Sequence, residues 1–464
     1  MLNTCGALLR AFLRGQSSID KVWIGTCGAL LFHGCAFFID VVKPEKPQTS
    51  SEQVQQLYIL AKDQGDGDAQ VRLGEIYAVG HEVPQNYEQA GYWYRVAADQ
   101  GNKIAQLRLA EMYMMGHGVP RDHTEAGHWY RLAANQGDVL AQLRLGRMYD
   151  GSNGEPPDYP EASQWFRMAA EQGDAQAQRR LGEMFDQGLG VPQDYQEASL
   201  WYRMAANRGD VGAQLRLGEM FEQGHRDPPD YGEAGHWYRM AAEQGDVGAQ
   251  LRLGEMFDQG QGVPPDYQEA SHWYRMAANQ GSTSAQIRMA EKCTSGQGVS
   301  KDLAEAARWY RLAADQGDPF AQLHLGEMYE TGRGVDRDYT EASRWYNRGA
   351  KQENPLAQLH LGEMYEVGQG VPQNYVEAMK WYTRSADQGQ AEAQFKLGNV
   401  YVLRKDYVNA HMWLNLSAAS GHEKAQNQLA GIALEMTHDQ IEEAQELARE
   451  WSVGRKLPGK PGDS

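Results

Sequence analysis

The sequence has few cysteines, and their positions limit what can hold the chain together. Of the four cysteines among 464 residues, Cys5, Cys27 and Cys35 lie near the start, and only Cys293 lies further along. A disulfide framework and a CxxC metal site are therefore excluded for most of the chain. The body of the protein must be stabilised by packing, and we expect no cofactor and no metal ion.

Positive charge is also scarce. The chain has 44 lysines and arginines against 62 aspartates and glutamates, which gives a formal net charge of −18. Proteins that bind nucleic acids need a basic surface stripe, so this balance argues against nucleic acid as a partner. Proteins or peptides with basic or apolar segments fit an acidic chain better.

Motifs for catalysis are absent or incomplete. Ser18 and Lys21 fit the Ser-x-x-Lys pattern of β-lactamase-like enzymes, but neither Ser-Asp-Asn nor Lys-Thr-Gly follows. The sequence contains no GxSxG, HExxH or Walker motif. His128, His236 and His272 recur at a fixed period, but packed helices lie about 8–10 Å apart, too far for two of these histidines to share one metal ion. We therefore expect a protein without enzymatic activity.

Long uncharged runs are missing, apart from one near the start. Residues 22–39 carry no charge and are followed by Asp40, while Arg10, Arg14 and Lys21 precede them. This run is typical of a signal-peptide core or a short membrane anchor, with a buried N-terminal helix as the alternative. The positive-inside rule then places the rest of the chain outside the cytoplasm. We expect a periplasmic or secreted protein, or one attached to the inner membrane through residues 22–40.

The dominant feature of the sequence is an internal repeat. An Ala-Gln pair recurs every 36 residues from Ala69 to Ala393, and once more at Ala425 after 32 residues. Segments that alternate apolar and polar residues are missing, so no strands are predicted. Fixed self-similarity indicates one continuous core formed between neighbouring units, and the repeats can therefore form one long array.

Each repeat predicts two helices, as residues 210–246 illustrate. The first runs from about Asp210 to Gln223, and Gly224 is the expected left-handed residue at its end. The second follows two prolines, with Asp230 as its N-cap and Glu233 three residues later, which predicts a reciprocal capping box.

Packing between the two helices is predicted from their small and large residues. Gly218 lies on the first helix, and Trp237 on the second belongs to a tryptophan position that recurs in every repeat. We expect the Trp237 ring to fill the space beside Gly218, because a small residue opposite a large ring lets two helices approach closely.

The repeat resembles a known family. Its consensus contains Ala-Gln-x-x-Leu-Gly-x-Met-Tyr/Phe, then Gly-x-Gly-Val-Pro-x-Asp-Tyr, then Trp-Tyr-Arg-x-Ala-Ala. It is similar to the Sel-one-like repeat family of bacterial type, whose members are relatives of tetratricopeptide repeats, over residues 51 to about 425. The resemblance implies an all-α, right-handed α/α superhelical solenoid of about ten 36-residue helix-pair repeats with terminal caps. It also implies a scaffold for protein contacts, often outside the cytoplasm.

The chain divides on this basis into six segments. They are a basic and hydrophobic signal or anchor (1–42), a linker (43–51), an N-terminal half-repeat cap (52–68), the repeats (69–424), C-terminal capping helices (425–451) and a disordered tail (452–464).

A candidate binding groove follows from the resemblance to tetratricopeptide arrays, in which the first helices line a concave surface. The first helices here carry a Leu, then an Arg, then a Glu three residues after the Arg, and often a further acid. The expected groove residues are Leu107, Arg108, Glu111, Arg180, Glu183, Leu215, Arg216, Glu219, Glu222, Leu251, Arg252, Glu255, Asp258, Leu323, Glu327, Leu359 and Glu363.

Two interpretations of the Arg and Glu positions stay open. They can form ion pairs within each helix, which contribute about 0.2–0.5 kcal/mol each, or a ladder that also grips an extended peptide. In the second case partner binding should weaken when Arg216 and Arg252 are changed together. The sequence favours a non-enzymatic scaffold or adaptor. The alternatives are a hydrolase of cell-wall material or β-lactams, as some relatives are labelled, and a cytoplasmic cochaperone-like adaptor.

Overall fold

The computed structural model describes residues 43–49, 51–152, 156–224, 228–452 and 454. Over these residues it contains 23 helices and no strand, which confirms the predicted all-α solenoid of helix pairs. The chain divides into two compact units, residues 1–213 and 214–464. Within each unit, helices that follow one another along the chain pack together.

Unit 1 begins with a single helix followed by helix pairs. Its helices are α1 (Glu52–Asp63), α2 (Gly67–Val79), α3 (Tyr87–Asp99), α4 (Lys103–Met115), α5 (His123–Asn135), α6 (Val139–Tyr149), α7 (Tyr159–Glu171), α8 (Ala175–Gln187) and α9 (Tyr195–Ala206), and the boundary falls within α10 (Val211–Gln223).

Unit 2 continues the same alternation. Its helices are α11 (Tyr231–Glu243), α12 (Val247–Gln259), α13 (Tyr267–Asn279), α14 (Thr283–Ser295), α15 (Leu303–Asp315), α16 (Pro319–Thr331), α17 (Tyr339–Lys351), α18 (Pro355–Val367), α19 (Tyr375–Asp387), α20 (Ala391–Leu403), α21 (Tyr407–Ala419), α22 (Glu423–Ala433) and α23 (His438–Ser452). In every repeat the even-numbered helix, here called the first helix, precedes the second helix. The last helix, α23, packs against α21, where the rings of Trp451 and Trp413 meet edge to face with centroids 6.0 Å apart.

A glycine on the first helix makes room for a tyrosine of the second helix. A Cβ atom added to Gly218 would lie 2.5 Å from the ring of Tyr238. The prediction that Trp237 fills this space is therefore wrong. Adjacent helix residues point about 100° apart, so Trp237 points away from Gly218. The Arg239 guanidinium lies 6.0 Å from the Trp273 ring of the next repeat, which places this tryptophan position between successive second helices.

At the start of the second helix, only one of the two hydrogen bonds of the predicted capping box is present. The Asp230 side chain accepts a hydrogen bond from the Glu233 amide at 3.0 Å, but the Asp230 amide donates to the Phe221 carbonyl at 2.8 Å. The reciprocal half of the predicted capping box is therefore wrong, because the carbonyl of the first helix already satisfies the cap amide. At α23 both hydrogen bonds of a capping box are present. The Thr437 amide donates to the Gln440 side chain at 3.0 Å, and the Gln440 amide donates to the Thr437 hydroxyl at 3.3 Å. The cap residue thus joins the two helices of a repeat.

The glutamine of the recurring Ala-Gln pair is buried and connects three successive segments. Gln250 is fully buried, and its Nε2 donates to the Ala242 carbonyl of the preceding helix at 3.1 Å. Its Oε1 accepts from Gln280 Nε2, after the following helix, at 2.9 Å. The same two bonds recur at Gln106, Gln142, Gln286, Gln322 and Gln358. This glutamine ladder explains why the pair marks the repeat, a role that the period alone did not reveal.

Replacing Gln250 by Leu should destabilise the fold by about 1–3 kcal/mol. Two hydrogen bonds are lost, each contributing about 0.5–1.5 kcal/mol, and Leu cannot take their place. Urea unfolding of the full chain, followed by circular dichroism, measures this change. The matched control is Gln259→Leu at an exposed position of the same helix, where we expect a change within about 0.5 kcal/mol. Equal losses in both variants would contradict a role for the ladder.

Candidate functional site

The first helices of successive repeats lie side by side within each unit, and ion pairs connect them. In unit 2 the Arg252 guanidinium of α12 contacts Glu222 of α10 as well as Glu255 of its own helix. Lys396 of α20 lies 3.4 Å from Glu363 and 3.3 Å from Glu366 of α18. In unit 1, Arg180 of α8 pairs with Glu183 at 2.6 Å and with Asp150, the residue that follows α6. The first helices therefore form one charged face in each unit.

Tyrosines of the second helices reach this face past the glycines. Tyr238 donates a hydrogen bond to Glu222 at 2.8 Å. Tyr346 donates to Glu330 at 2.6 Å, and Tyr382 to Glu366 at 2.7 Å. Burial, and next the hydrogen bond to the carboxylate, raise the pKa of each of these hydroxyls well above its usual value. Each tyrosine therefore stays protonated and fixes the position of a carboxylate.

The predicted Arg–Glu pairs within a helix are present. The distances are 3.1 Å for Arg108–Glu111 and 2.8 Å for Arg216–Glu219. Arg180–Glu183 and Arg252–Glu255 are paired in the same way, while Asp258 contacts Lys292 of the next first helix. Pairing to the acid 30 residues earlier in the chain, as in Arg252–Glu222, was not predicted. These arginines of the first helices, here called the arginine ladder, thus already pair with carboxylates of their own chain. The pairing gives them a structural role.

Several predicted groove leucines are not available to a partner. Leu107, Leu323 and Leu359 are 7%, 2% and 5% exposed, so they belong to the core. Leu215 and Leu251 are half-buried, and their repeats carry glycine three residues earlier. The buried leucines follow large apolar residues at that position, which indicates that these residues cover them.

Four exposed apolar side chains of the first helices lie three residues before the recurring leucine position. Ile104 and Leu140 of unit 1 are 44% and 38% exposed, and Phe320 and Leu356 of unit 2 are 41% and 39% exposed. Sequence reasoning missed them, although a signal was present: other repeats have Gln176, Gly212 or Gly248 at this position. Their side chains add an apolar stripe to the face in each unit.

Four carboxylates in unit 2 lie on the two helices that carry Phe320 and Leu356. Glu327, Glu330, Glu363 and Glu366 have side chains that are 38%, 30%, 33% and 33% exposed. The earlier repeats have arginine where α16 and α18 have His324 and His360, so permanent positive charge is reduced here. These eight residues are called the acidic–apolar face below.

His360 holds three of the carboxylates together. Its Nδ1 lies 3.4 Å from Glu363 and 3.9 Å from Glu330, and its Nε2 lies 3.9 Å from Glu327. Burial opposes protonation, but the hydrogen bond to Glu363 and the three negative charges outweigh it and raise the pKa of His360. Burial opposes ionisation of Glu363, yet the hydrogen bond from His360 and the charge of Lys396 lower its pKa. The cluster therefore favours charged His360 beside ionised Glu363.

The described part of the chain offers neither a cluster of metal ligands nor a membrane-spanning helix. There, no group of three or more His, Cys, Asp or Glu residues is placed to hold a metal ion. No described helix is long and apolar enough to cross a membrane. The predicted signal or anchor at residues 22–40 and the Ser18–Lys21 pattern lie outside the described residues.

Comparison with protein families identifies the repeat. The family model described as Sel1 repeat matches ten consecutive segments, 67–102, 103–138, 139–174, 175–210, 211–246, 247–282, 283–318, 319–354, 355–390 and 391–422. The chain belongs to the Sel1 repeat family. Sel1 repeat solenoids are commonly protein-interaction scaffolds and not typically enzymes. No match to a curated protein was found.

Two solved Sel1 repeat structures are similar over most of their length. One is a protective antigen present in uropathogenic Escherichia coli strains displaying an SLR fold, with 30% identity, a TM-score of 0.58, and coverage of 89% of this chain and 99% of that chain. The other is a Sel1 repeat protein from Oxalobacter formigenes, with 35% identity, a TM-score of 0.53, and coverage of 66% of this chain and 89% of that chain.

The His360 cluster should make the stability of this Sel1 repeat protein depend on pH. Charged His360 stabilises the fold below its unfolded pKa near 6.5, and this contribution is lost as the pH rises through its raised pKa. Ionised Glu363 stabilises the fold above its unfolded pKa near 4.5, and this contribution is lost as the pH falls through its lowered pKa. Both contributions are present between about 4.5 and 6.5.

The variant His360→Gln should therefore be less stable than the wild type at pH 5.5, and the gap should shrink at pH 8.5. Urea unfolding at the two pH values measures it. His272→Gln, at an exposed position of α13, is the matched control and should show no such difference. A gap that is the same at both pH values for His360→Gln would rule out the cluster as its cause.

Proposed function

We propose that the protein is a non-enzymatic adaptor that binds a peptide or protein segment rich in basic and apolar residues on the acidic–apolar face of α16 and α18. One observation carries the proposal. Phe320 and Leu356 are about two fifths exposed, on the same helices as four partly exposed carboxylates. Large apolar side chains exposed within a charged setting are typical of protein interaction sites.

The energetics of such a face favour a mixed partner. Covering the exposed parts of Phe320 and Leu356 would contribute on the order of 1 kcal/mol each, since complete burial of such side chains contributes about 1.5–3 kcal/mol. The carboxylates would attract lysine or arginine side chains and select against acidic partners. The apolar contacts would therefore supply affinity, and the carboxylates would supply specificity.

The proposal moves the binding site away from the arginine ladder. Arg252 already pairs with Glu222 and Glu255, so a partner would have to compete with these contacts. At α16 and α18 histidines replace the arginines, and carboxylates are left with fewer permanent counter-charges. This difference favours α16 and α18 over the other predicted groove residues.

We further propose an extracytoplasmic location, with residues 22–40 as a signal or inner-membrane anchor. The uncharged run and the preceding positive charges support it. The similarity to a protective antigen of uropathogenic E. coli adds to this support. An alkaline phosphatase fusion after residue 51 should be active in the periplasm, and an inactive fusion would contradict the location.

A pair of synthetic decapeptides tests the binding site. One alternates Lys and Leu, and the other alternates Glu and Leu, each with a fluorescent label. The Lys–Leu peptide should bind the full chain, and the variant Phe320→Ser with Leu356→Ser should bind it about 30-fold more weakly, because a loss of about 1 kcal/mol at each residue sums to about 2 kcal/mol. Fluorescence anisotropy measures both affinities.

The matched control places the same substitutions on second helices. Leu200 and Leu312 are 53% and 47% exposed, and Leu200→Ser with Leu312→Ser should leave the affinity unchanged. A third variant, Arg216→Gln with Arg252→Gln, tests the arginine ladder separately. Equal affinity for the two peptides, or equal losses in the Phe320/Leu356 and Leu200/Leu312 variants, would overturn the proposed site.

A further inference from the structure

Residues 43–47, here called the strap, run along the first repeat of unit 1 and are held through their backbone. Gln89 forms a two-point contact: its Oε1 accepts from the Glu45 amide at 3.1 Å, and its Nε2 donates to the Lys43 carbonyl at 2.9 Å. The Tyr77 hydroxyl donates to the Glu45 carbonyl at 3.1 Å, and the Tyr58 hydroxyl donates to the Pro44 carbonyl at 3.3 Å. Three helices, α1, α2 and α3, thus each contribute a donor.

The contacts of the strap are those of a peptide bound through its backbone. The side chains of Lys43, Glu45 and Lys46 are exposed, whereas Pro47 is buried. Proline holds φ near about −65° and favours an extended, polyproline-like backbone, so little freedom is lost on binding. The site therefore recognises backbone groups and prolines rather than charged side chains.

Tyr77 is suited to remain a donor in this site. Burial, and after it the nearby Tyr58 and Glu45, raise the pKa of Tyr77 to about 12. Its hydroxyl is therefore protonated at all physiological pH values, and the bond to the Glu45 carbonyl persists.

Later repeats fill the equivalent place with an arginine side chain. Arg131 of α5 pairs with Glu161 of α7 at 2.6 Å and donates to the Tyr149 hydroxyl. The same relation joins Arg275 and Glu305 at 2.9 Å in unit 2. The positions of Arg131, Tyr149 and Glu161 correspond, 72 residues earlier, to Ile59, Tyr77 and Gln89.

Two residues of unit 1, Ile59 of the N-terminal cap helix α1 and Gln89 of the first repeat, therefore differ together. Ile59 supplies no cation, and Gln89, which is 3% exposed, is neutral where the next eight repeats have glutamate. A glutamate at this depth without its arginine would be a buried, unpaired charge, which is strongly unfavourable. A side-chain amide offers both N–H donors and a carbonyl acceptor, which match the carbonyl and the N–H of a peptide backbone. The first repeat is thus fitted to a strand of polypeptide.

We propose that the first repeat and the preceding helix α1 form a binding site for an extended, proline-containing peptide, that residues 43–47 occupy it as an internal ligand, and that an external segment of the x-Pro-x-x-Pro type replaces them. The site is in unit 1 and is independent of the acidic–apolar face in unit 2. Because the strap is covalently attached, its effective concentration is on the order of millimolar, so an external segment competes only when the strap is weakened or the segment is abundant.

Hydrogen exchange of the Glu45 amide tests the internal contact in the full chain. The variant Ile59→Arg with Gln89→Glu rebuilds the ion pair of the later repeats and should expel the strap. We expect the Glu45 amide to exchange at least about 10-fold faster than in the wild type, with the helix content unchanged by circular dichroism. The control Met115→Arg with Gln64→Glu introduces the same residues at exposed positions and should leave exchange unchanged. Unchanged exchange in the Ile59/Gln89 variant would overturn the proposal.

A labelled peptide with the sequence of residues 43–49 tests whether an external segment can replace the strap. The variant Glu45→Pro with Pro47→Asp removes an amide donor and the buried proline from the strap, outside every helix. It should bind the peptide at least about 10-fold more tightly than the wild type, as removal of an internal competitor implies. The Ile59/Gln89 variant should not bind it, and neither should any form of the protein bind a peptide with proline at the Glu45 position. No binding by the strap variant at 1 mM peptide (about the effective concentration of the strap), or equal binding by all three proteins, would overturn the proposal.

Discussion

The contact between a glycine of the first helix and a tyrosine of the second is the constraint on which the repeat depends. The Tyr238 ring lies so close to Gly218 that no β-carbon fits between them without movement. This approach brings the tyrosine hydroxyl through to the opposite face, where it binds Glu222. The same residue therefore packs the core and positions a carboxylate on the surface. Two repeats carry Ala110 and Ala290 at the glycine position, so the close approach tolerates small adjustments but not a large side chain.

Much of the fold was predictable because it is specified locally. The period, the helix from Val211 to Gln223 and the left-handed Gly224, with φ of 60°, follow from patterns within one repeat. The error at Trp237 has a simple cause: two adjacent aromatic positions both recur, and helix spacing alone does not decide which one points at the glycine. Contacts between repeats were also missed. The pairing of Arg252 with Glu222 depends on how neighbouring helices align, which no pattern within one helix contains.

The candidate site was predictable only in part, for a similar reason. Charged positions are visible in the sequence, but the share of each side chain that remains exposed depends on its neighbours. Leu323 looks like a groove residue, yet Phe320 three positions earlier takes the exposed place and Leu323 is buried. Departures from the repeat were more informative than the repeat itself. His360 in place of arginine and Gln89 in place of glutamate both mark positions where the surface has a different chemistry.

The glutamine ladder has a consequence for how such a chain changes in length. Gln250 bonds to a carbonyl 8 residues before it and to an amide 30 residues after it, so its contacts close within about one repeat. An added or deleted block of 36 residues would therefore meet the same chemistry at each new junction. The backbone-bound strap and the complete capping box of Thr437 and Gln440 are different, since they do not follow the 36-residue period over the described residues. Duplication can thus lengthen the interior freely, while the terminal structures keep their positions.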